Sequence, residues 1–167
     1  MNLVAANDPI LRKKMDVVEN YDVAEMQKLI DDMYAFVKAN GGAGVSASQL
    51  GIEKRVFVVA YGDYKHAFIN PEITWESNES IMLEEGCLSY PGVFANVKRP
   101  VATNVTYTDY DNVTHKDVRF TGITNRIILH EYDHMEGKLF YDHLSRLQMD
   151  RFASRVKKKL GISVTQY

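Results

Sequence analysis

Apolar residues recur at helical spacing early in the chain. Val23, Met26, Ile30, Met33 and Val37 form one stripe, which predicts a helix from Tyr21 to Asn40, stopped by Gly41-Gly42. The pattern then changes. Arg55 to Ala60 is a short apolar run that reads as a buried strand, and His66 to Asn70, ending at Pro71, reads as another. Val101 to Tyr110 is rich in β-branched and aromatic residues. Asp111-Asn112 predicts a turn, with Thr114 to Phe120 returning as the hairpin partner. Thr121 is placed to cap a second helix, closed by Gly137, on which Ile123, Ile127, His130 and His134 share a face. A last helix is expected from about Ser145 to Leu160. Phe152, Val156 and Leu160 lie on its apolar side, and Lys157-Lys158-Lys159 suit the negative end of its dipole. Strands in the middle with helices on either side imply an α+β fold rather than a parallel βαβ sheet.

Length bounds this to one domain, residues 1–167. With 46% hydrophobic and 25% charged residues the chain can bury a core. A net charge of -2 argues against non-specific nucleic-acid binding, which needs a basic surface. One cysteine, Cys87, excludes an intrachain disulfide and fits a reducing compartment. No segment approaches the ~20 apolar residues of a membrane span, and the N-terminus lacks transit character. A cytoplasmic protein is expected.

The segment Ile127 to Gly137, IILHEYDHMEG, carries the chemistry. Histidines at i and i+4 lie one turn apart, so both imidazoles can reach one ion. Glu131 adjoins the first and can face a water on that ion instead of binding it. The plain alternative is a helix that happens to carry two histidines and some acids. Against it, both histidines continue the apolar stripe, and buried imidazoles need partners. A catalytic site commonly has three protein ligands and an open position. Cys87, in Glu84 to Gly92, is the candidate third ligand. Alone it reads as a small buried hydrophobe, but with the pair it completes a Cys-His-His set suited to zinc or ferrous iron.

A third segment, Gly42 to Gly51 (GAGVSASQLG), reads alone as a flexible loop. Taken in order, however, GAGVSASQ, EGCLS and HEYDH resemble the peptide deformylase family. Asn7 to Arg12 and Gly137 to Asp142 resemble its flanking segments. The resemblance implies a hydrolase that removes the formyl group from N-formyl-methionine of new polypeptides, with an antiparallel or mixed sheet around a central metal-binding helix. It implies Cys87, His130 and His134 as ligands of one divalent ion, natively ferrous iron, with zinc, nickel or cobalt accepted. It implies Glu131 as general base and acid, and Gln49 and the Leu88 N–H as donors to the oxyanion. The substrate backbone would pair near Ala43, Gly44 and Gly86, and the methionine side chain would enter a pocket near Ile123, Ile127 and His130. Asp133 would pair with Arg99 as structural support. Family members can also meet the ribosome through a basic C-terminal helix, here Arg151 to Lys159. A monomer without membrane contact is expected.

Several positions depart from the family pattern. Ser46 stands for alanine, Leu129 for a glutamine, Asn125 and Arg126 for small or aliphatic residues, and Phe94 for a common arginine. Arg126 is expected at the rim of the methionine pocket, where it would bear on substrate preference. Two rival readings stand beside the family. A metallopeptidase on another scaffold would need His143 as third ligand, and a non-catalytic metal protein would have no need of Glu131 or Gln49.

Overall fold

The computed structural model describes residues 1–166. A five-stranded antiparallel sheet runs in the order β1 (Gly44–Ser46), β2 (Val56–Tyr61), β3 (Tyr64–Glu76), β6 (Ala102–Thr108), β7 (Thr114–Thr121). A separate antiparallel pair is formed by β4 (Ser80–Gly86) and β5 (Phe94–Pro100). The helices are α1 (Val23–Asn40), α2 (Gly122–Met135) and α3 (Arg146–Leu160).

The large sheet is covered on both faces, and its side chains alternate accordingly. In β2, Val56 and Val58 pack under the α1 stripe of Met26, Ile30, Met33, Tyr34 and Val37. Phe57 and Val59 point the other way, into a cluster with Phe68, Val105 and Phe120 that Ile128 and Met135 of α2 complete. Asp22 starts α1 by accepting from the Glu25 N–H at 2.9 Å. A third core joins Cys87, Tyr90, Ala95 and Val97 to Phe140, Tyr141 and the α3 stripe of Met149, Phe152 and Val156. Helix α2 is therefore wedged between two cores, which is why most of it is buried.

The α+β class, the three helices and the central hairpin follow the sequence pattern, with differences. β3 does not stop at Pro71. A register shift between Ile69 and Glu72 lets the strand absorb the proline and continue to Glu76. Strands β4 and β5 went unpredicted. β5 does alternate, but one of its inward positions is Arg99. Thr121 precedes α2 as expected, yet its side chain makes no capping bond. The first helical turn starts two residues later than the stripe suggested, leaving Val23 half exposed.

At the far end of α2, the N-terminal segment crosses the helix. Met15 N–H donates to the Met135 carbonyl at 2.8 Å. Gly137 makes this crossing possible: its φ is +67°, and a Cβ there would stand 2.5 Å from the Arg12 carbonyl oxygen. Arg55 ties the same junction together from inside. It donates to the carbonyls of Pro71, Met15 and Met135 and pairs with Glu136 at 2.6 Å. Replacing it by methionine removes the Arg55 donor from all three carbonyls and from Glu136; among the described residues the Met135 carbonyl keeps only the Met15 N–H and Glu136 only Lys14, at 3.0 Å. Arg55→Met is expected to lower the unfolding free energy by about 3 kcal/mol in urea titration. A loss below about 1 kcal/mol would show that Arg55 is no keystone of this junction.

Candidate metal centre

Two segments converge on α2. Gln49 comes from the single 3-10 turn Ala47–Leu50 that follows β1. Cys87 comes from the residue just past β4. His130, Glu131 and His134 come from α2 itself. The ligating atoms of Cys87, His130 and His134 all lie within 4.8 Å of one another, and all three residues are buried. Cys87 Sγ is 3.4 Å from His134 Nε2. No other such group occurs among the described residues.

This donor set fits a divalent ion. Thiolate and imidazole together suit zinc or ferrous iron, and three protein ligands leave a position open. The protonation of the site agrees. Burial opposes ionisation of Cys87, but His134 and His130 outweigh it and hold the thiol well below its usual range. His130 is held by a carboxylate: its Nδ1 lies 3.0 Å from Glu85 Oε2, so Nδ1 donates and Nε2 is left for a ligand. His134 Nδ1 is buried without a partner among the described residues.

Glu131 does not join the ligands. Its Oε2 is buried and has no hydrogen-bond partner among the described residues. Burial pushes its carboxyl up to about 7, against the pull of His130 and His134. Space for it depends on Gly44, where a Cβ would stand 2.9 Å from Glu131 Oε1. Gln49 is oriented by its own turn. Its Oε1 accepts from the Ser46 N–H at 2.9 Å and the Ser46 hydroxyl at 3.1 Å. Its amide then donates to Cys87 Sγ at 3.3 Å and Ser89 Oγ at 3.0 Å. The Ser46 hydroxyl, which stands where the family has alanine, is satisfied by two side chains, Gln49 and Ser48.

A cavity of about 530 Å³ opens beside these residues. Gln49, Cys87, Leu88, His130 and Glu131 line it. So do Ala43, Gly44 and Gly86 from the strand ends, and Ile123, Arg126 and Ile127 from α2. Arg126 differs from its sequence reading in one respect: its charge is turned inward, not toward the rim. It is buried, and it donates to Glu85 Oε1 at 2.7 Å and to the carbonyls of Val97 and Ile81 at 2.9 and 2.7 Å. Asn125 is likewise spent within the fold, donating to the Pro100 carbonyl and accepting from Thr103.

Arg99 pairs with Asp133 at 2.6 Å and grips Glu85 with two further bonds of 2.8 and 2.9 Å. Burial would raise the Asp133 carboxyl, but Arg99 and His143 bring it down to about 2. His143 Nε2 lies 2.7 Å from Asp133 Oδ2, so it serves that pair and is not among the grouped metal-ligating residues. The residue that sequence reasoning missed is Glu85. It holds two arginines and His130, and it stays ionised because Arg99 and His130 overcome its burial. Its one legible signal was its place two residues before Cys87.

The sequence model of the polypeptide deformylase family matches residues 1–150. A peptide deformylase of Zymomonas mobilis is 38% identical, over 96% of this chain and 94% of the relative. The crystal structure of a peptide deformylase from Synechococcus elongatus in complex with actinonin superposes with a TM-score of 0.88 at 31% identity, over 98% of this chain and 87% of that one. A probable peptide deformylase from Synechococcus phage S-SSM7 gives 0.81 at 39% identity, over 86% and 99%.

Glu85→Gln keeps an acceptor near His130 but removes the charge that two arginines face. Metal affinity, read by competition with a chelator, is expected to fall about 10- to 100-fold. An unchanged affinity would show that Glu85 does not orient the ligand.

Proposed function

Because the chain belongs to the peptide deformylase family, it is a metal-dependent hydrolase acting on N-formyl-methionyl peptides, and we propose that Cys87, His130 and His134 hold its ion while Glu131 moves the protons. The observation that carries this reading is Glu131 Oε2, buried beside a Cys-His-His set with no partner among the described residues. A carboxylate left without a partner in such a place suits a group that must exchange a proton. Ferrous iron is the proposed resident ion, with zinc, nickel or cobalt able to replace it at the same donors. When bound there, a divalent ion makes water a better nucleophile near neutral pH and draws charge from the formyl carbonyl.

The remaining work falls to the chain. Glu131 takes a proton from the attacking water and returns it to the leaving amine, so formate and a free amino terminus result. Its carboxyl, raised to about 7 by burial, suits both directions. Gln49 and the Leu88 N–H donate to the oxyanion. The weaker of the two Gln49 contacts, 3.3 Å to sulfur, is the one a substrate oxygen would displace. The substrate backbone lies extended along Ala43, Gly44 and Gly86, which reads main chain and so tolerates many sequences. Ile123 and Ile127, with the stem of Arg126, offer apolar contact to the methionine. Asp133 and Arg99 brace the helix that carries both histidines.

The reaction is proposed to act on nascent polypeptides in the cytoplasm as a monomer, with α3 as a contact to the ribosome and no sequence-specific nucleic-acid binding. No described helix is long and apolar enough to cross a membrane.

Formate release from formyl-Met-Ala-Ser by anaerobically prepared, iron-loaded protein tests the reading. Glu131→Ala is expected to lower kcat about 10²- to 10⁴-fold while metal content stays at one ion per chain. Full activity in that variant, or loss of the ion, would rule Glu131 out as the group that moves the proton.

A further inference from the structure

Helix α3 presents two different sides. Met149, Phe152 and Val156 are buried in the third core. Arg151, Arg155 and Lys158 recur at i, i+4 and i+7, so they share a flank beside that stripe, with Lys159 at its end. This flank touches the wall of the metal cavity. Arg155 donates to the Phe94 carbonyl at 3.0 Å and Lys159 to the Gly92 carbonyl at 2.8 Å. Gly92, Val93 and Phe94 line the metal cavity on one side and a shallower groove with Arg155, Lys158 and Lys159 on the other. A further depression continues past Phe94 to Arg151. The metal cavity and both depressions share Glu84, the one acid along this track. None of the four cations has a carboxylate partner among the described residues.

We propose that this cationic track is an extension of the substrate groove, which favours nascent chains bearing acidic side chains a few residues beyond the formyl-methionine. The proposal rests on the deformylase reading of the cavity and adds a preference to it. Exposed ion pairs are individually weak, so the flank tunes binding and leaves the chemical step alone. RNA phosphates are the other anions such cations could meet. The concave track, continuous with the cavity that takes the peptide, favours the peptide.

Steady-state kinetics of the iron-loaded protein decide this. The substrates are formyl-Met-Ala-Ser extended by Ser-Ser-Ser, Glu-Glu-Glu or Lys-Lys-Lys, at low and high salt. The acidic peptide is expected to show a KM about three- to tenfold below that of the serine peptide at low salt, with equal kcat. The lysine peptide is expected to fall on the other side. The ratio should approach one at high salt, where exposed charges are screened. It should also approach one in the double variant Arg151→Gln/Lys158→Gln, and return in Arg151→Lys/Lys158→Arg. Equal KM values in the unmodified protein, or a ratio that survives the double variant, overturn the proposal. A double variant that keeps the ratio but no longer sediments with ribosomes assigns the flank to RNA and overturns it too. Turnover of the serine peptide reports the deformylase reading separately. If that peptide yields no formate, the reading fails and the preference fails with it.

Discussion

The arrangement of the centre depends on one buried carboxylate. Glu85 accepts from Arg99, Arg126 and His130, and Arg99 passes on to Asp133. Two guanidiniums thus meet two carboxylates in the interior, and their formal charges cancel. Such a cluster is poor as a source of net stability, because each ion had to leave water. Its effect is geometric. Any slip of β4 or β5 against α2 would leave a charge unpaired, which is costly, so only one register is acceptable. Glu85 and Cys87 lie two residues apart, and their side chains reach His130 and His134 of the same helix. Fixing Glu85 against His130 therefore also fixes the thiol against both imidazoles.

Helix α2 has to satisfy three neighbours at once. Ile128 and Met135, seven residues apart, pack on the large sheet. Arg126 and Asp133, also seven apart, bond to Glu85 and Arg99. His130 and His134 occupy the remaining direction, with Glu131 between them in sequence but turned toward Gly44. A helix surrounded in this way has little amphipathic contrast to show. That explains why its polar residues are the informative ones: a charged group survives in such a place only with an internal partner.

The same fact explains what could be read from the sequence and what could not. The His-Glu-x-x-His pair was legible because its spacing states a chemical purpose; Cys87 and the Gly-rich segment, each plain when taken alone, gained meaning only beside that pair and from the family resemblance of the three segments in order. The α1 stripe and the β6–β7 hairpin were legible from ordinary periodicity. Glu85, Arg55 and Arg126 break the assumption beneath such a reading, that charge faces water, whereas the Arg99–Asp133 pair was expected from the family resemblance. Arg99 sits at an inward position of β5, so the strand's alternation looks broken where it is intact. Arg126 invited a place at the pocket rim for the same reason, although both of its terminal nitrogens donate inside the fold. Pro71 misled in a different way, since the register shift that accommodates it involves residues on β6 far away in sequence.

Helix α3 shows how a remote element can shape the centre without reaching the Cys87, His130 and His134 group. Its apolar stripe shares a core with Cys87, Tyr90 and Val93, so it forms part of the bed on which the thiolate segment rests. Tyr90 bonds back to the Ala6 carbonyl and to Tyr141, which closes that core from the opposite side. Interiors packed at this density transmit displacement instead of absorbing it. The segment from Cys87 to Phe94 is thus held at its start by the Glu85 cluster, in its middle by Tyr90, and at its end by Arg155 and Lys159. A ligand loop fixed at three points needs no rigid sequence of its own, which is consistent with a stretch as plain as Leu-Ser-Tyr-Pro-Gly carrying the wall of the cavity.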